Sequence, residues 1–472
     1  MTSNHGQPED HTINIPGAEK SESNIPEAEK SEFIKKKIQE FKSAMDGFQN
    51  QGGGSSSQRT KPLIQRVPPV LLNMKEDFKK CFEPRLVSLG PLHHGDPRFQ
   101  RAEVSKLQFA AFFALENKTD GDTLFGKIKA EIEDLRKCYM SDDTKDYDDE
   151  KLAWMLFIDG CAVLCAISCG MEGKFDKLNT KPDLLVFAQL DLFLLENQIP
   201  YKVLQILIGS AINPQKWKES LKGFIAQNLI TNIQGEHKSR NAVKDPETED
   251  YAHLLEWLRA EHLVGKEVKR ESSMIGKMLL SCGDSRMHRK TFRSVKELRE
   301  SGIHVKPTQT INLETIYFYC KCLGKLMMPR LLVDDSTVSK FLNLVALETC
   351  RDFKNEFEIT TYLCFLDSLI DTAEDVKELR VTGMLLNYLG SDEELADLFN
   401  KMSRDLVPDQ QRYYEVVQDI HKYCNNPWTA ALTHIYNTHF SSSWSFLAFL
   451  GAIVGLLFSA TQAYFSLPQN RQ

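Results

Sequence analysis

The sequence has no excess of positive charge and contains few cysteines. Its 472 residues include 58 Lys and Arg against 65 Asp and Glu, which gives a net charge of −7. No general attraction to nucleic acid is therefore expected. The 11 cysteines are too sparse for a disulfide scaffold, and we expect most of them to be reduced thiols. A hydrophobic content of 42% is enough for a folded body with a buried core.

The common local motifs of enzymes are also missing. The sequence contains no G-x-S-x-G elbow, P-loop, dinucleotide fingerprint, H-E-x-x-H or paired C-x-x-C. An active site assembled from distant positions would escape this search. We expect a protein that is not an enzyme and that has neither cofactor nor metal.

One long apolar segment stands near the end of the sequence, WSFLAFLGAIVGLLFSATQAYF, residues 444–465. It carries no charged residue, and at about 1.5 Å per residue a helix of this length covers a hydrocarbon core of about 30 Å. Trp444 and Phe465 lie at its two ends, where aromatic rings favour the headgroup level of a bilayer. The segment is predicted to be a transmembrane helix in contact with membrane lipid, the alternative being a buried core helix.

Small residues recur every four positions within this segment. Gly451, Gly455, Ser459 and Ala463 would form one stripe along a helix, and such stripes let two membrane helices approach closely. Self-association through the helix is one hypothesis. The alternative is that the stripe only faces lipid.

No apolar leader is visible among the first residues, so we expect a single-pass protein with its body in the cytosol. The plasma membrane is the preferred location and the endoplasmic reticulum the alternative. A second apolar run, residues 152–170, contains Asp159, which would be costly at a bilayer centre. That run is predicted to be a buried helix.

The organisation predicted for the chain has four parts. Residues 1–61 contain a duplicated decamer, NIPGAEKSES and NIPEAEKSEF, and a Gly/Ser linker, and are expected to be disordered. Residues 62–440 form a helical body, residues 444–465 the membrane helix, and residues 466–472 a short tail. The fold class is mainly α, with a small antiparallel β meander within residues 302–335.

Local patterns predict where two helices in the body end and begin. Residues 183–209 repeat apolar side chains at helical spacing but are interrupted at Pro200, which lacks an amide donor. We expect a helix, a break and a second helix there. Ser391, with Glu394 three residues later, has the spacing of a capping box and predicts a further helix start.

Two groups of polar residues are candidates for an interaction site or a structural motif. His93 and His94 lie in GPLHHGDP; they could bind a metal with Asp96, but a glycine-rich turn with an imidazole bonded to the backbone is the preferred interpretation. Three carboxylates, Asp367, Asp371 and Asp375, have the spacing of one helical face. A solvated or partner-docking face is favoured over catalysis for them.

Seven segments in order, the last of them the apolar segment, resemble a known plant family and span about residues 67–465. The first six are RVPPVLL followed by RLVSLGPLHHGDP, MLFIDGC, FLLENQIPYKVL, VKELRESGIHVK, MPRLLVDDSTVSKFLNLVALETC and the long stretch from ITTYLCFLDS to ELADLFN. The chain resembles the plant domain of unknown function 247 family. The resemblance implies a plant membrane protein without assigned catalysis, from a family in which some members are linked to reproductive self-recognition.

Two functions are consistent with the sequence. The first is a non-enzymatic, tail-anchored interaction, signalling or recognition module that binds an unknown protein partner. The second is a membrane-attached hydrolase or transferase whose catalytic residues are dispersed along the chain. The two differ in whether a deep polar cleft joins the regions of His93 and Asp367.

Overall fold

A computed structural model gives the fold of the chain. It describes residues 35–39, 41, 42, 45, 63–174, 181–231, 251–264, 294–320, 323–353, 357–429, 431, 433 and 443–466. The chain divides into two units, Met1–Arg59 and Thr60–Gln472. In the first unit the described residues are helical, whereas the duplicated decamer and the Gly/Ser linker lie outside the described residues.

The second unit is mainly helical, as the sequence predicts. Its α-helices, in chain order α1 to α17, are Pro69–Met74, Gln100–Glu116, Gly121–Ala130, Ile132–Arg136, Ser141–Thr144, Asp149–Glu172, Pro182–Leu190, Tyr201–Gly209, Pro214–Gln227, Leu254–Leu263, Val295–Glu300, Thr337–Thr349, Glu358–Leu369, Ala373–Val381, Asp392–Ser403, Tyr414–Asn425 and Ser443–Ser466. Short 3-10 helices cover Glu76–Cys81, Pro97–Phe99 and Asp191–Phe193.

Helix α6, Asp149–Glu172, is the central helix of the body. Asp148 caps its start by accepting the N–H of Lys151, and Gly173, with φ of 65°, ends it in the left-handed conformation. Helices α2, α3, α8 and α9 pack around it. Within the described residues it is long and apolar enough to cross a membrane, but 94% of its apolar window is buried. The prediction of a buried helix here is confirmed.

The segment around Pro200 has the predicted helix, break and helix. Helix α7 runs into the 3-10 helix Asp191–Phe193, a turn and irregular backbone follow over residues 194–200, and α8 begins at Tyr201. Pro200 is the residue that precedes α8, where its fixed φ is compatible with a helix start. The break therefore occupies residues 194–200, and the side chains of Glu196 and Asn197 within it bond to backbone groups elsewhere in the body.

The predicted antiparallel meander is wrong. Strands β1 (Ile303–Pro307), β2 (Tyr317–Cys320) and β3 (Gly324–Met328) form a mixed sheet in the order β1-β3-β2, with β1 parallel and β2 antiparallel to β3. A second sheet pairs β4 (Leu331–Val333) in parallel with β5 (Leu385–Asn387). Alternation of side chains indicates that a segment is a strand but does not indicate its partner, and the partner of β4 follows three intervening helices.

Candidate functional site

A network of buried polar side chains surrounds residues 85–97, which we call the His-His loop. Asp191, in the 3-10 helix that follows α7, accepts the backbone N–H groups of Arg85, Leu86 and Val87 at 2.7–3.1 Å. Burial raises the pKa of the Asp191 carboxyl, although these amide donors oppose the effect. One side chain thus satisfies three consecutive donors of the loop.

Side chains of the break before α8 hold the rest of the loop. Asn197 Oδ1 accepts the N–H of Leu89 at 2.7 Å, and Asn197 Nδ2 donates to the carbonyl of Val87. Glu196 accepts the N–H of Val67 at 2.8 Å and places its other oxygen 3.1 Å from His93 Nε2. The turn between the 3-10 helix Asp191–Phe193 and α8 therefore directs the Glu196 carboxylate and the Asn197 amide towards the loop.

An ion pair joins the loop to the two longest helices of the body. Lys106 Nζ, from α2, lies 2.5 Å from Asp159 Oδ1 of α6 and donates to the carbonyl of Ser88 at 2.8 Å. Asp159 Oδ2 accepts the N–H of Gly90. Burial favours a lower pKa for Lys106, but the Asp159 carboxylate outweighs it, so the pKa of Lys106 is raised. The lysine stays protonated.

Gly90 is required by the geometry of this contact. Its φ is 66°, and a Cβ at this position would lie 2.7 Å from the carbonyl oxygen of Gln198 and 3.0 Å from the hydroxyl oxygen of Tyr139. Only glycine combines this backbone conformation with so close an approach.

These contacts bring three of the quoted motifs together: RLVSLGPLHHGDP, MLFIDGC and FLLENQIPYKVL. The polar atoms involved bond mainly to main-chain groups. A carboxylate that accepts backbone N–H groups and a lysine that neutralises it stabilise a loop rather than supply a free nucleophile or base.

The two histidines do not share a site. His93 approaches Glu196, whereas the ring of His94 makes an edge contact with Tyr147 at 6.0 Å between centroids. Asp96 accepts the N–H of Arg98 and caps the 3-10 helix Pro97–Phe99. The expected glycine turn is present, with Gly95 at φ of 84°, but the partner of His93 is a carboxylate and not the backbone. Among the described residues no group of three or more His, Cys, Asp or Glu lies together as a metal site would require.

The predicted carboxylate face is wrong, because Asp367, Asp371 and Asp375 do not lie on one helix. Helix α13 ends at Leu369 and α14 begins at Ala373, so Asp371 lies between them. Thr372 and Asp375 form a capping box, and Asp375 is buried with its pKa lowered by amide donors despite desolvation. The three residues are four positions apart, but the capping box of Thr372 and Asp375 begins a new helix between the first and the last of them.

Two cavities lie beside α2. The first, of about 330 Å³, is formed by α2, α6, α7 and the start of the His-His loop; we call it the basic cavity. The second is a broader depression of about 670 Å³ over α3 and α6, which we call the aromatic depression. It is lined by His94, Glu103, Leu107, Phe125, Tyr147, Glu150, Lys151, Trp154, Met155, Ile158 and Asp159. Asp367 lines neither cavity.

Comparison with known proteins establishes the family. The profile of DUF247, described as plant protein of unknown function, matches residues 64–458. The chain belongs to this family. The UPF0481 protein At3g47200 of Arabidopsis thaliana is 30% identical over 421 residues, 85% of each chain. Another Arabidopsis UPF0481 protein, At3g02645, is 29% identical over 175 residues, 37% of this chain and 33% of that protein. No solved structure matches significantly.

The match confirms the family resemblance stated from the sequence. It includes the His-His loop, the central helix α6 and most of the apolar helix α17. Family membership brings no activity with it, because the family is one of unknown function.

Three lysines that are buried among the described residues, Lys75, Lys106 and Lys340, were not identified from the sequence. Lys106 and Lys340 lie on helices among apolar residues, and a lysine in such a pattern ordinarily reaches solvent. Burial lowers the pKa of Lys340 to about 8, and Asp334 only partly opposes the effect. No described carboxylate lies within ion-pair distance of the Lys340 ammonium group. The distance from Lys106 to Asp159 in the sequence, 53 positions, explains why their pairing gave no local signal.

Proposed function

We propose that this DUF247 protein is a non-enzymatic, membrane-attached interaction protein. The observation that carries the proposal is the exposure of α17. Its residues 447–449 and 451–463 are exposed in the second unit, and they include Phe449, Leu456 and Phe458. The central helix α6 has the same length of 24 residues, but the body covers it. An apolar helix exposed on every side suits lipid better than water.

The polar groups of α17 are compatible with a bilayer. Ser459 donates its hydroxyl to the carbonyl of Gly455 at 2.9 Å, and Thr461 donates to Leu457 at 2.9 Å. Hydroxyls that bond to the preceding turn expose no unsatisfied donor to lipid. Trp444 and Phe465 lie within the helical range, at the ends where interfacial rings are expected.

The proposed location is the plasma membrane, with the body in the cytosol. A helix of 24 residues is about 36 Å long at about 1.5 Å per residue, which suits the thicker plasma membrane better than the thinner endoplasmic reticulum. Cys161, Cys165 and Cys350 are buried and carry free thiols, as is usual in a reducing compartment.

The aromatic depression is the proposed contact surface for a protein partner. Trp154 and Leu107 are about half exposed there, at 51% and 53%. Its charged groups already form ion pairs: Glu150 with Lys129, Lys151 with Asp148, and both Glu103 and Asp159 with the one ammonium group of Lys106. Exposed aromatic rings beside paired charges favour an apolar peptide segment over a charged one. Reproductive self-recognition is the process that the family resemblance suggests for such an interaction.

A membrane-attached hydrolase or transferase has less support. Lys106 and Asp159 bond to each other and to the loop, and the cavities beside them do not extend to Asp367. We therefore place the function on surfaces rather than in a cleft.

Membrane attachment is tested by alkaline extraction of plant membranes that contain the full chain. Replacing Ile453, Leu456 and Leu457 with Asp should release the protein, because buried charges oppose insertion. A matched variant with Ser459, Thr461 and Gln462 changed to Leu should stay in the pellet. Equal release of both variants and the unaltered chain would contradict the proposal.

The contact surface is tested by capture from native membranes. Trp154→Ala should lose partners that the unaltered chain retains, since a half-exposed Trp is a typical binding hot spot. Trp428→Ala is the control, because Trp428 is 70% exposed and lies outside the depression. Identical captured proteins for Trp154→Ala and the unaltered chain would place the contact elsewhere.

A further inference from the structure

The basic cavity combines apolar walls with an uneven distribution of charge. Phe109 of α2, Val163 and Ala166 of α6, and Leu184 and Leu185 of α7 are among the residues that line it. Its volume of about 330 Å³ lies within the usual range of small-molecule sites, which are apolar with a few placed polar groups.

Every charged side chain in the lining is cationic. Arg85, Arg98, Arg101 and Lys106 line the cavity together with the polar Ser105 and Gln189, and no Asp or Glu does. Arg98 and Lys106 form ion pairs with carboxylates outside the lining, so the attraction for an anion depends on the other two cations, Arg85 and Arg101.

Two of these charges already have partners within the protein. Lys106 is neutralised by Asp159, and Arg98 pairs with Asp96 at 2.8 Å. Arg85 and Arg101 are exposed, and no described carboxylate lies within ion-pair distance of either guanidinium group. Arg85 is also fixed in place by the bond from its backbone N–H to Asp191. The cavity therefore has two guanidinium groups that can still bind an anion in a forked geometry.

We propose that the basic cavity binds an amphiphile with an anionic head group, a carboxylate or a phosphate, on an aliphatic chain. Arg85 and Arg101 bind the head group, and the chain lies between α2, α6 and α7 against Phe109 and Val163. Leu184, 44% exposed, loses contact with water when the chain is bound, which adds a favourable apolar contribution. The site is independent of the membrane attachment and of the aromatic depression.

The test uses the full chain in nanodiscs of zwitterionic lipid and soluble probes with one chain length. Octanoate and octyl phosphate are titrated by calorimetry, with octanol and octylammonium as uncharged and cationic counterparts. We expect both anions to bind at least tenfold more tightly than octanol, and octylammonium to show no binding. Empty nanodiscs correct for partition into lipid.

Acetate and inorganic phosphate show whether the chain contributes. If either simple anion binds as tightly as its octyl counterpart, the cavity is an anion site only and the amphiphile proposal is wrong. The ratio between octanoate and octyl phosphate identifies which head group, fatty carboxylate or lipid phosphate, the site prefers.

Variants place the binding in this cavity. The double change Arg85→Gln and Arg101→Gln should weaken octanoate binding at least tenfold and leave octanol unchanged. Arg66→Gln with Arg299→Gln removes two exposed arginines elsewhere, both 60% exposed, and should have no effect. A cavity-filling change, Ala166→Leu, should weaken the binding of octanoate, octyl phosphate and octanol. Melting curves check that each variant is folded, and unchanged octanoate affinity in folded Arg85→Gln/Arg101→Gln overturns the proposal.

Discussion

Lys106 Nζ lies 2.5 Å from Oδ1 of Asp159, and the pair joins α2 to α6 at a point where both side chains are buried. Lys340 is also buried, yet no described carboxylate lies within ion-pair distance of it. Among the described residues, Lys106 is thus a buried lysine with a carboxylate partner, whereas Lys340 is a buried lysine without one. Removal of the two ammonium groups should have opposite effects on stability.

Lys106→Met is predicted to destabilise the protein by about 3–5 kcal/mol, because it leaves the Asp159 carboxylate buried without its counter-charge. Chemical denaturation of the full chain in detergent measures the change. Lys106→Met combined with Asp159→Leu should recover part of the loss. A single variant as stable as the unaltered chain would show that the ion pair contributes little.

Lys340→Met is predicted to stabilise the protein by about 1–3 kcal/mol at pH 7. The pKa of Lys340 is lowered to about 8 in the folded state, from 10.5. Below pH 8 the folded protein buries a charge, and the penalty is fully present; it declines as the pH rises from 8 towards 10.5. The advantage of the variant should therefore shrink over that window. A variant less stable than the unaltered chain at pH 7 would contradict this account.

Stability should fall as the pH decreases below about 6.5, because His253 and His262 are buried and burial lowers the pKa of each to about 3. The unfolded chain binds protons between pH 6.5 and 3 that the folded chain does not, at a cost of about 1.4 kcal/mol per pH unit and histidine. His253 Nδ1 accepts the N–H of Glu256, and His253→Asn keeps an acceptor at this position. The variant should reduce the dependence of stability on pH. Denaturation at several pH values measures it, and an unchanged slope would contradict the assignment.

A glycosylation site can report on which side of the membrane the body lies. The acceptor sequence already present, Asn117-Lys118-Thr119, is unsuitable because Asn117 is buried. Asn117 Nδ2 donates to the carbonyl of Phe113, and its Oδ1 accepts from Trp217. Gly121→Asn creates an exposed acceptor with Thr123, at a position where a Cβ meets no atom within 4 Å. We expect no glycan on this variant in plant cells, and the same gel mobility as the Gly121→Gln control. A shift removed by glycosidase would place the body in the lumen or outside the cell.

Self-association through α17 is predicted to need Gly451 and Gly455. A Cβ at either position meets no atom within 4 Å, so changing both to Ile leaves the helix itself intact. Proximity between two labelled full-length copies in membranes should fall several-fold, since close approach of two helices depends on small residues. Ala460→Ile, on another face, is the control. Equal signals for all three proteins would mean that the stripe only faces lipid.

The parts of the fold that depend on neighbours in the sequence were predictable. The apolar run with Asp159 indicated a buried helix, and Pro200 indicated the start of a new one. The error at Asp371 arose because the four-residue period was counted through a helix boundary that Thr372 and Asp375 mark.

The candidate site depends on partners that are far apart in the sequence. Asp191 appeared to be one more polar position on a helical pattern, but its partners are backbone groups 104–106 positions earlier. Backbone N–H groups are the same in every residue, so the sequence gives no sign of where such a carboxylate bonds.

The same separation sets an order of events while the chain is being made. Arg85 is synthesised 106 positions before Asp191, which corresponds to roughly 5–20 seconds at ribosomal rates. During that interval the carboxylate that accepts its N–H does not yet exist. The His-His loop is thus completed late, and a ribosome that pauses between α2 and α7 prolongs the time in which the loop is accessible to chaperones and proteases.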